Sequence, residues 1–333
     1  ISNNHYRSPT FFSKIERVLK HIRPRLEESF SKFEIFQFFK KNPRILLFLI
    51  EEKYITFTDD QIIYYVSEFS VRDFYLNFFS QEISDACPTF LMGGEYINEL
   101  EENQRQIGEN ESEICSIIRK DSLDEFISFV KKNKINLKKE IEISCYESHP
   151  FLIAETPSLI EYAAFFGSVQ IFNYLYQNNV NLKSSIWIYA VHGNKIELIK
   201  FLQKENIEPE FDDYEDIFKE AVKCHHNEIA FYIKKNLMKN KKNDFYGFLN
   251  ILTNNDEDYN EEEEDFNEKD GFNYDDDPDL IKYPYHYYNF LFFPKDLTNK
   301  YNFVYACKYD YYEIVYFFLK TFKIDLNEIY SVV

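Results

Sequence analysis

Apolar residues step at helical spacing from the start of the chain. Phe12, Ile15, Val18, Leu19 and Ile22, followed by Phe30, Phe33, Phe36 and Phe39, recur every three or four positions, the mark of amphipathic helices. Pro24 is expected to divide this stretch into two helices, because proline has no amide to give to a helix interior. Pro43 opens the next helix, over residues 44–53. Thr58-Asp59-Asp60-Gln61 fits a capping box with Thr58 over the first turn and Gln61 reaching back, which predicts helices over 61–69 and 71–79. Residues 81–108 are less regular. Cys87-Pro88 and Gly93-Gly94 break the pattern, and 95–106 is polar.

From residue 112 one unit recurs. A short helix carries a small residue three positions before a turn, and a second helix presents apolar residues at i, i+1, i+3 and i+4. The small and turn positions are Ile118 and Asp121, Ala164 and Gly167, Ala190 and Gly193, Ala221 and Cys224, and later Ala306 and Tyr309. The small side chain lets the first helix lie close to its neighbour. Glycine at the turn takes positive φ without a Cβ clash. The exit from the second helix needs another left-handed residue, and Asn179 and Asn206, which tolerate that region, stand there. Ser158 and Glu161 form a capping box for the first helix of their unit. No single unit can bury its apolar face, so stability has to come from stacking.

The organisation that follows is all-α. Residues 1–108 form a helical N-terminal cap, with degenerate repeats admitted at 45–56. Residues 109–239 form the repeat array, 240–296 an acidic and partly disordered insertion, and 297–333 a C-terminal repeat. Residues 138–157 lengthen the hairpin between the first two clear units.

This pattern resembles the ankyrin repeat. Ser158-Leu159-Ile160-Glu161-Tyr162-Ala163-Ala164 stands where that repeat has Thr-Pro-Leu-His-x-Ala-Ala, and Gly167-Ser168-Val169-Gln170-Ile171-Phe172 where it has Gly-His-x-Glu-Val-Val. Asn179-Val180-Asn181-Leu182 corresponds to Gly-Ala-Asp-Val. Glu161 and Trp187 replace the histidine, and Gly167 to Gly193 is 26 residues, short of the usual ~33. Residues 107–237 more closely resemble a large protist family of divergent ankyrin proteins with a domain of unknown function. The resemblance implies a helical-repeat solenoid and an interaction role, and no known activity.

Charge and composition narrow the function classes. The net charge is −19, and residues 254–279 hold 14 acidic residues against one lysine. The remainder is ordinary for a globular chain and offers no clustered Lys/Arg footprint for phosphate backbones. The acidic stretch reads as a solvated loop, a site for a basic protein, or a weak cation binder. Its nearest approach to an EF-hand turn, Asp270-Gly271, would put Phe266 at the first ligand position, where an oxygen is required. Five widely spaced cysteines without a CxxC pair point to reduced thiols in an intracellular, cytoplasmic setting. No apolar run approaches the ~20 residues of a membrane span. Gly93-Gly94 lacks the strand, helix and lysine of a phosphate loop.

Candidate chemistry is sparse. Cys224-His225-His226 invites a metal reading, but adjacent residues diverge and no second cluster supplies ligands at zinc-site spacing. These histidines, and His192 beside Gly193, are expected to be turn structure, and no cofactor or metal is expected. The leading expectation is a monomeric, non-enzymatic protein-binding scaffold. Its contact residues would be Lys183, Ser184, Trp187 and Tyr189 on the concave side, with Tyr146, Glu147 and His149 in the extended hairpin. Trp187 reads either as a packing residue between repeats or as an exposed anchor. The alternative is a regulatory protein carrying a small metal or thiol site on the repeats.

Overall fold

A computed structural model describes residues 11–68, 72–87, 102–142, 144–210, 214–238, 278–289, 300–309 and 311–321. All of the acidic stretch at 254–279 except Pro278 and Asp279 lies outside these residues, as do Gly93-Gly94 and residues 245–252. The described elements are helices, with one isolated β-bridge between Glu140 and Ser158. The chain divides into two compact units, 2–182 and 183–333.

The first unit opens with α1 (Phe11–Ser29), α2 (Lys32–Phe39), α3 (Pro43–Glu51), α4 (Asp60–Ser67) and α5 (Arg72–Ala86). α1 runs through Pro24, contrary to the expected division. Pro24 sits on the exposed side of the helix, where one missing i→i−4 bond is borne by the flanking turns. The break comes at Ser31 instead, whose amide and hydroxyl both donate to Glu34 at 2.8 Å in a capping box. α4 is capped by Asp59 rather than Thr58: its carboxylate accepts from the amides of Gln61 and Ile62. An ionised side chain at a helix N-terminus answers both the free amides and the macrodipole.

α3 is the centre of this part. Ile45, Leu46, Leu47 and Leu49 have essentially no exposed surface, and Ile35, Phe36, Ile62, Val66, Leu76 and Phe79 close around them. Burial of Arg44 on the same helix is matched by an ion pair with Glu16 and a bond from its Nε to the Gln106 carbonyl. The first exit turn is already of repeat type. Lys53 is left-handed at φ 61°, and its neighbour Tyr54 donates back to the Leu49 carbonyl.

α6 (Glu102–Ile107) leads to the first clear repeats, α7 (Glu113–Arg119) with α8 (Leu123–Asn133) and α10 (Leu159–Phe165) with α11 (Val169–Gln177). First helix packs on first helix, α7 on α10, and second on second, α8 on α11. The segment between them holds the short α9 (Pro150–Ala154). It is closed at its base by the amides of Ile141 and Leu159, bonded to the carbonyls of Pro157 and Lys139.

The second unit continues the pattern with α12 (Ile186–His192), α13 (Ile196–Lys204), α14 (Tyr214–Lys223) and α15 (Asn227–Asn236). α16 (Pro278–His286), α17 (Lys300–Lys308) and α18 (Tyr312–Thr321) follow. α14 lies between α12 and α16, and α16 packs on α17. The aromatic segment at 283–289 therefore joins the helix stack, with the Tyr283 hydroxyl bonded to Glu215 at 2.8 Å; residues 290–293 lie outside the described part.

Both turns of the unit have a fixed geometry. Asp121, Gly167, Asn194 and His225 are left-handed after a first helix, and Lys134, Asn179 and Asn206 after a second. Asn179 and Asn206 hold the exit turns as expected. The first turn of the third and fourth units is one residue later than the sequence spacing suggests. Gly193 is right-handed at φ −67°, and Asn194 makes the turn; Cys224 precedes His225 in the same way. Ala163, Ala164, Ala190 and Ala221 are all completely buried, so either of two adjacent small residues can mark the close approach. Counting from Ala164 rather than Ala163 shifts the expected turn by one residue.

One hydrogen bond recurs at three joints, one within residues 2–182 and two within 183–333. The residue after the left-handed position bonds to a carbonyl of the preceding unit, three positions before that unit's own left-handed residue. Ser168 Oγ reaches the Ile118 carbonyl at 2.5 Å, His226 Nδ1 the Val191 carbonyl at 2.7 Å, and Asn289 Nδ2 the Val222 carbonyl at 3.0 Å. The three donors differ chemically, but the acceptor site is the same. Each of these carbonyls already accepts the amide of its own unit's left-handed residue, Asp121, Asn194 or His225, and the side chain adds a bond at the remaining lone pair.

Candidate functional site

The expected contact residues separate by burial. Lys183 and Ser184 are exposed, in the turn that leads into α12. Trp187 is not: it has no exposed surface, its indole N–H donates to the Ile207 carbonyl at 2.7 Å, and its ring stacks edge-on against Tyr214. Tyr189 is 4% exposed. α12 is enclosed on nearly every side, with Ile186, Trp187, Tyr189, Ala190, Val191 and His192 all buried, so it presents no side for an outside partner. Trp187 is a packing residue, and neither it nor Tyr189 can anchor a ligand.

The extended hairpin is likewise folded down rather than projecting. Ser148 Oγ and the Ser148 amide both bond to the Gly108 carbonyl, and Asn110 Nδ2 bonds to the Glu142 carbonyl. Glu147 and His149 are buried as a result, Glu147 holding the His149 amide and the His149 ring standing edge-on to Phe165. Only Tyr146 of that trio keeps partial exposure. Beneath the segment lies a cavity of about 20 Å³ lined by Asn110, Ser144, Glu147 and Tyr162, room for about one water.

Among the described residues, a gathering of reactive side chains lies elsewhere. α12 ends at His192, and the last turn of α14 carries Glu220, with Cys224 just beyond it. Glu220 and Cys224 are four residues apart and share one helix face. Packing of α12 on α14 brings His192 against that face. His192 Nε2 is 3.1 Å from Glu220 Oε1, His192 Nδ1 is 3.6 Å from Cys224 Sγ, and Cys224 Sγ is 3.7 Å from Glu220 Oε1. Lys223 Nζ closes the arrangement from the solvent side, 2.9 Å from both oxygens of Glu220.

Electrostatics fix the resting state. Burial pushes the Glu220 carboxyl upward, but the His192 hydrogen bond and charge, aided by Lys223, outweigh it and bring the group down to about 2. Burial, reinforced by the Glu220 charge, pushes the Cys224 thiol well above its ordinary value. The order thiol, imidazole, carboxylate is that of an activated nucleophile. With the sulfur fully buried and its proton held on, the trio is not poised to attack an outside substrate. What it offers is three different metal-ligand types within 4.8 Å of one another.

The other thiols form no such cluster among the described residues. All five cysteines are free; Cys115 is buried in α7, and burial raises it, Cys145 and Cys307. The expected turn role holds for His225 and His226, but His192 belongs to the cluster. Sequence reasoning missed the trio because the residues it joins, His192 and Cys224, are 32 apart and come from different repeats. The one legible signal was the spacing of Glu220 and Cys224. No helix among the described residues is long and apolar enough to cross a membrane. No family model, no curated protein and no solved structure matches this chain.

Proposed function

We propose that this chain is a divergent ankyrin-type repeat solenoid, akin to the protist family its sequence resembles, and that it acts as a non-enzymatic scaffold for a protein partner. The observation that carries the reading is the repeated joint, in which Ser168, His226 and Asn289 each bond to the same carbonyl position of the unit before. Helix pairs stitched in this way bury their apolar faces on one another and leave turns and hairpins to the solvent. Lys183 and Ser184 are exposed at such a hairpin and remain the contact residues, with Tyr146 on the other unit; Trp187, Tyr189, Glu147 and His149 are withdrawn from that role. The net negative charge favours a protein partner over nucleic acid.

The test is affinity capture from the native cytoplasm with the whole chain and with a Lys183→Glu, Ser184→Arg variant. A protein retained by the first and lost from the second supports both the role and the surface. Equal retention by the two removes this surface, and retention of nothing above background removes the scaffold reading.

A further inference from the structure

We propose that His192, Glu220 and Cys224 form a zinc site that fastens α12 to α14. Nitrogen, sulfur and oxygen donors converge here from two helices, and that mixed set suits a borderline divalent ion of tetrahedral habit. The spacing fits as well. Ligands at zinc-like bond lengths of about 2.0–2.3 Å span a tetrahedral edge of roughly 3.6 Å. The sulfur stands 3.6 Å from His192 Nδ1 and 3.7 Å from Glu220 Oε1. Zinc takes one imidazole nitrogen, and the ring turns to direct it at the point the two anions share.

Charge balance favours the ion over a bare buried cluster. A thiolate and a carboxylate together neutralise a dication, and a neutral complex is tolerated where an isolated charge is not. On binding, the Cys224 thiol releases its proton to solvent, the His192 nitrogen that takes the metal gives up any proton it carries in the same way, and Glu220 exchanges its ion pair for the metal. Lys223 is the group that must yield. Its side chain is 30% exposed while that of Glu220 is 15% exposed, so Lys223 can swing outward and open the way in. The fourth position is left to water.

The experiment titrates the metal-stripped full chain with cobalt(II), a spectroscopic stand-in for zinc. Wild type should take up one equivalent with a thiolate-to-cobalt charge-transfer band, which added zinc abolishes. Cys224→Ser should lose the band, and His192→Asn should weaken binding by roughly 10-fold or more. Lys223→Gln should bind several-fold more tightly, because the competing cation is gone. Cys307→Ser, which alters an exposed thiol, should leave the titration unchanged. Lys223 is the more exposed member of its pair with Glu220, so Lys223→Gln keeps the test decisive if Cys224→Ser does not fold. A wild type without the band, a Cys224→Ser variant that keeps it, or a Lys223→Gln variant no tighter than wild type overturns the proposal.

Discussion

Replacing Trp187 tests the packing directly, because it is the only tryptophan in the chain. The side chain has no exposed surface, one hydrogen bond to the Ile207 carbonyl and an edge-on contact with Tyr214 at 5.4 Å. Burying an indole removes roughly 150–250 Å² from water, which at about 25 cal/mol per Å² is on the order of 4–6 kcal/mol. That figure takes an extended unfolded chain as reference and is an upper bound. Measured Trp→Ala losses of about 3–5 kcal/mol bring the expectation for Trp187→Ala to about 4 kcal/mol. Trp187→Phe keeps most of the apolar contact but leaves the Ile207 carbonyl without its donor, which costs about 1–2 kcal/mol. Urea unfolding followed by far-ultraviolet circular dichroism measures both. In the wild type, the lone indole should emit at the blue end of its range and resist acrylamide quenching until unfolding. A Trp187→Ala loss under about 1 kcal/mol, or an emission quenched as readily as free indole, would show that α12 does not enclose this ring.

Three further outcomes follow. Glu220, held at about 2, stabilises the fold above its unfolded value near 4.5, and that contribution disappears as pH falls toward 2. Wild type should therefore lose on the order of 3 kcal/mol more than Glu220→Gln between pH 5 and 2; parallel pH profiles would contradict the pairing with His192 and Lys223. Ser168→Ala and His226→Ala should each cost about 0.5–1.5 kcal/mol by removing the side-chain bond to the Ile118 and Val191 carbonyls, which keep their backbone donors, and a chemical-denaturation series would expose a null effect at either joint. Gly108 is left-handed at φ 70°, and a Cβ there would lie 2.7 Å from Ser148 Oγ and 3.2 Å from Arg44 Cβ. Gly108→Ala should cost roughly 1–3 kcal/mol and loosen the 138–157 segment, seen as faster amide exchange there; unchanged stability would mean that this segment does not rest on Gly108.

The helical class and the exit turns could be read from residues alone, because period and turn chemistry are local properties. Asn179 and Asn206 sit in left-handed exits for the reason that asparagine tolerates them, and Ser158 and Glu161 form their box. Facing and depth are not local. Trp187 admits either a packing role or an exposed one from sequence, and only the packing of α13 and α14 on α12 decides it. Glu147 and His149 seemed to belong to a projecting loop until Ser148 and Asn110 tied that loop to residues 108–142. Pro24 was weighted as a breaker because proline usually is one, whereas an exposed helix flank absorbed the missing bond. The zinc candidate was hidden for the same reason as the joint bonds: its members meet only when one repeat is laid on the next.

The stitch from Ser168 to Ile118 has an architectural corollary. From Asp121 to Gly167 the chain travels 46 residues, yet from Gly167 to Asn194 only 27 and from Asn194 to His225 31. The extra length enters wholly between the exit at Lys134 and the cap at Ser158, and the bond to Ile118 is made regardless. Within residues 2–182 the turns between paired helices are thus metrically strict and the exit side elastic, so new sequence can be spliced into 138–157 without disturbing the bond to Ile118.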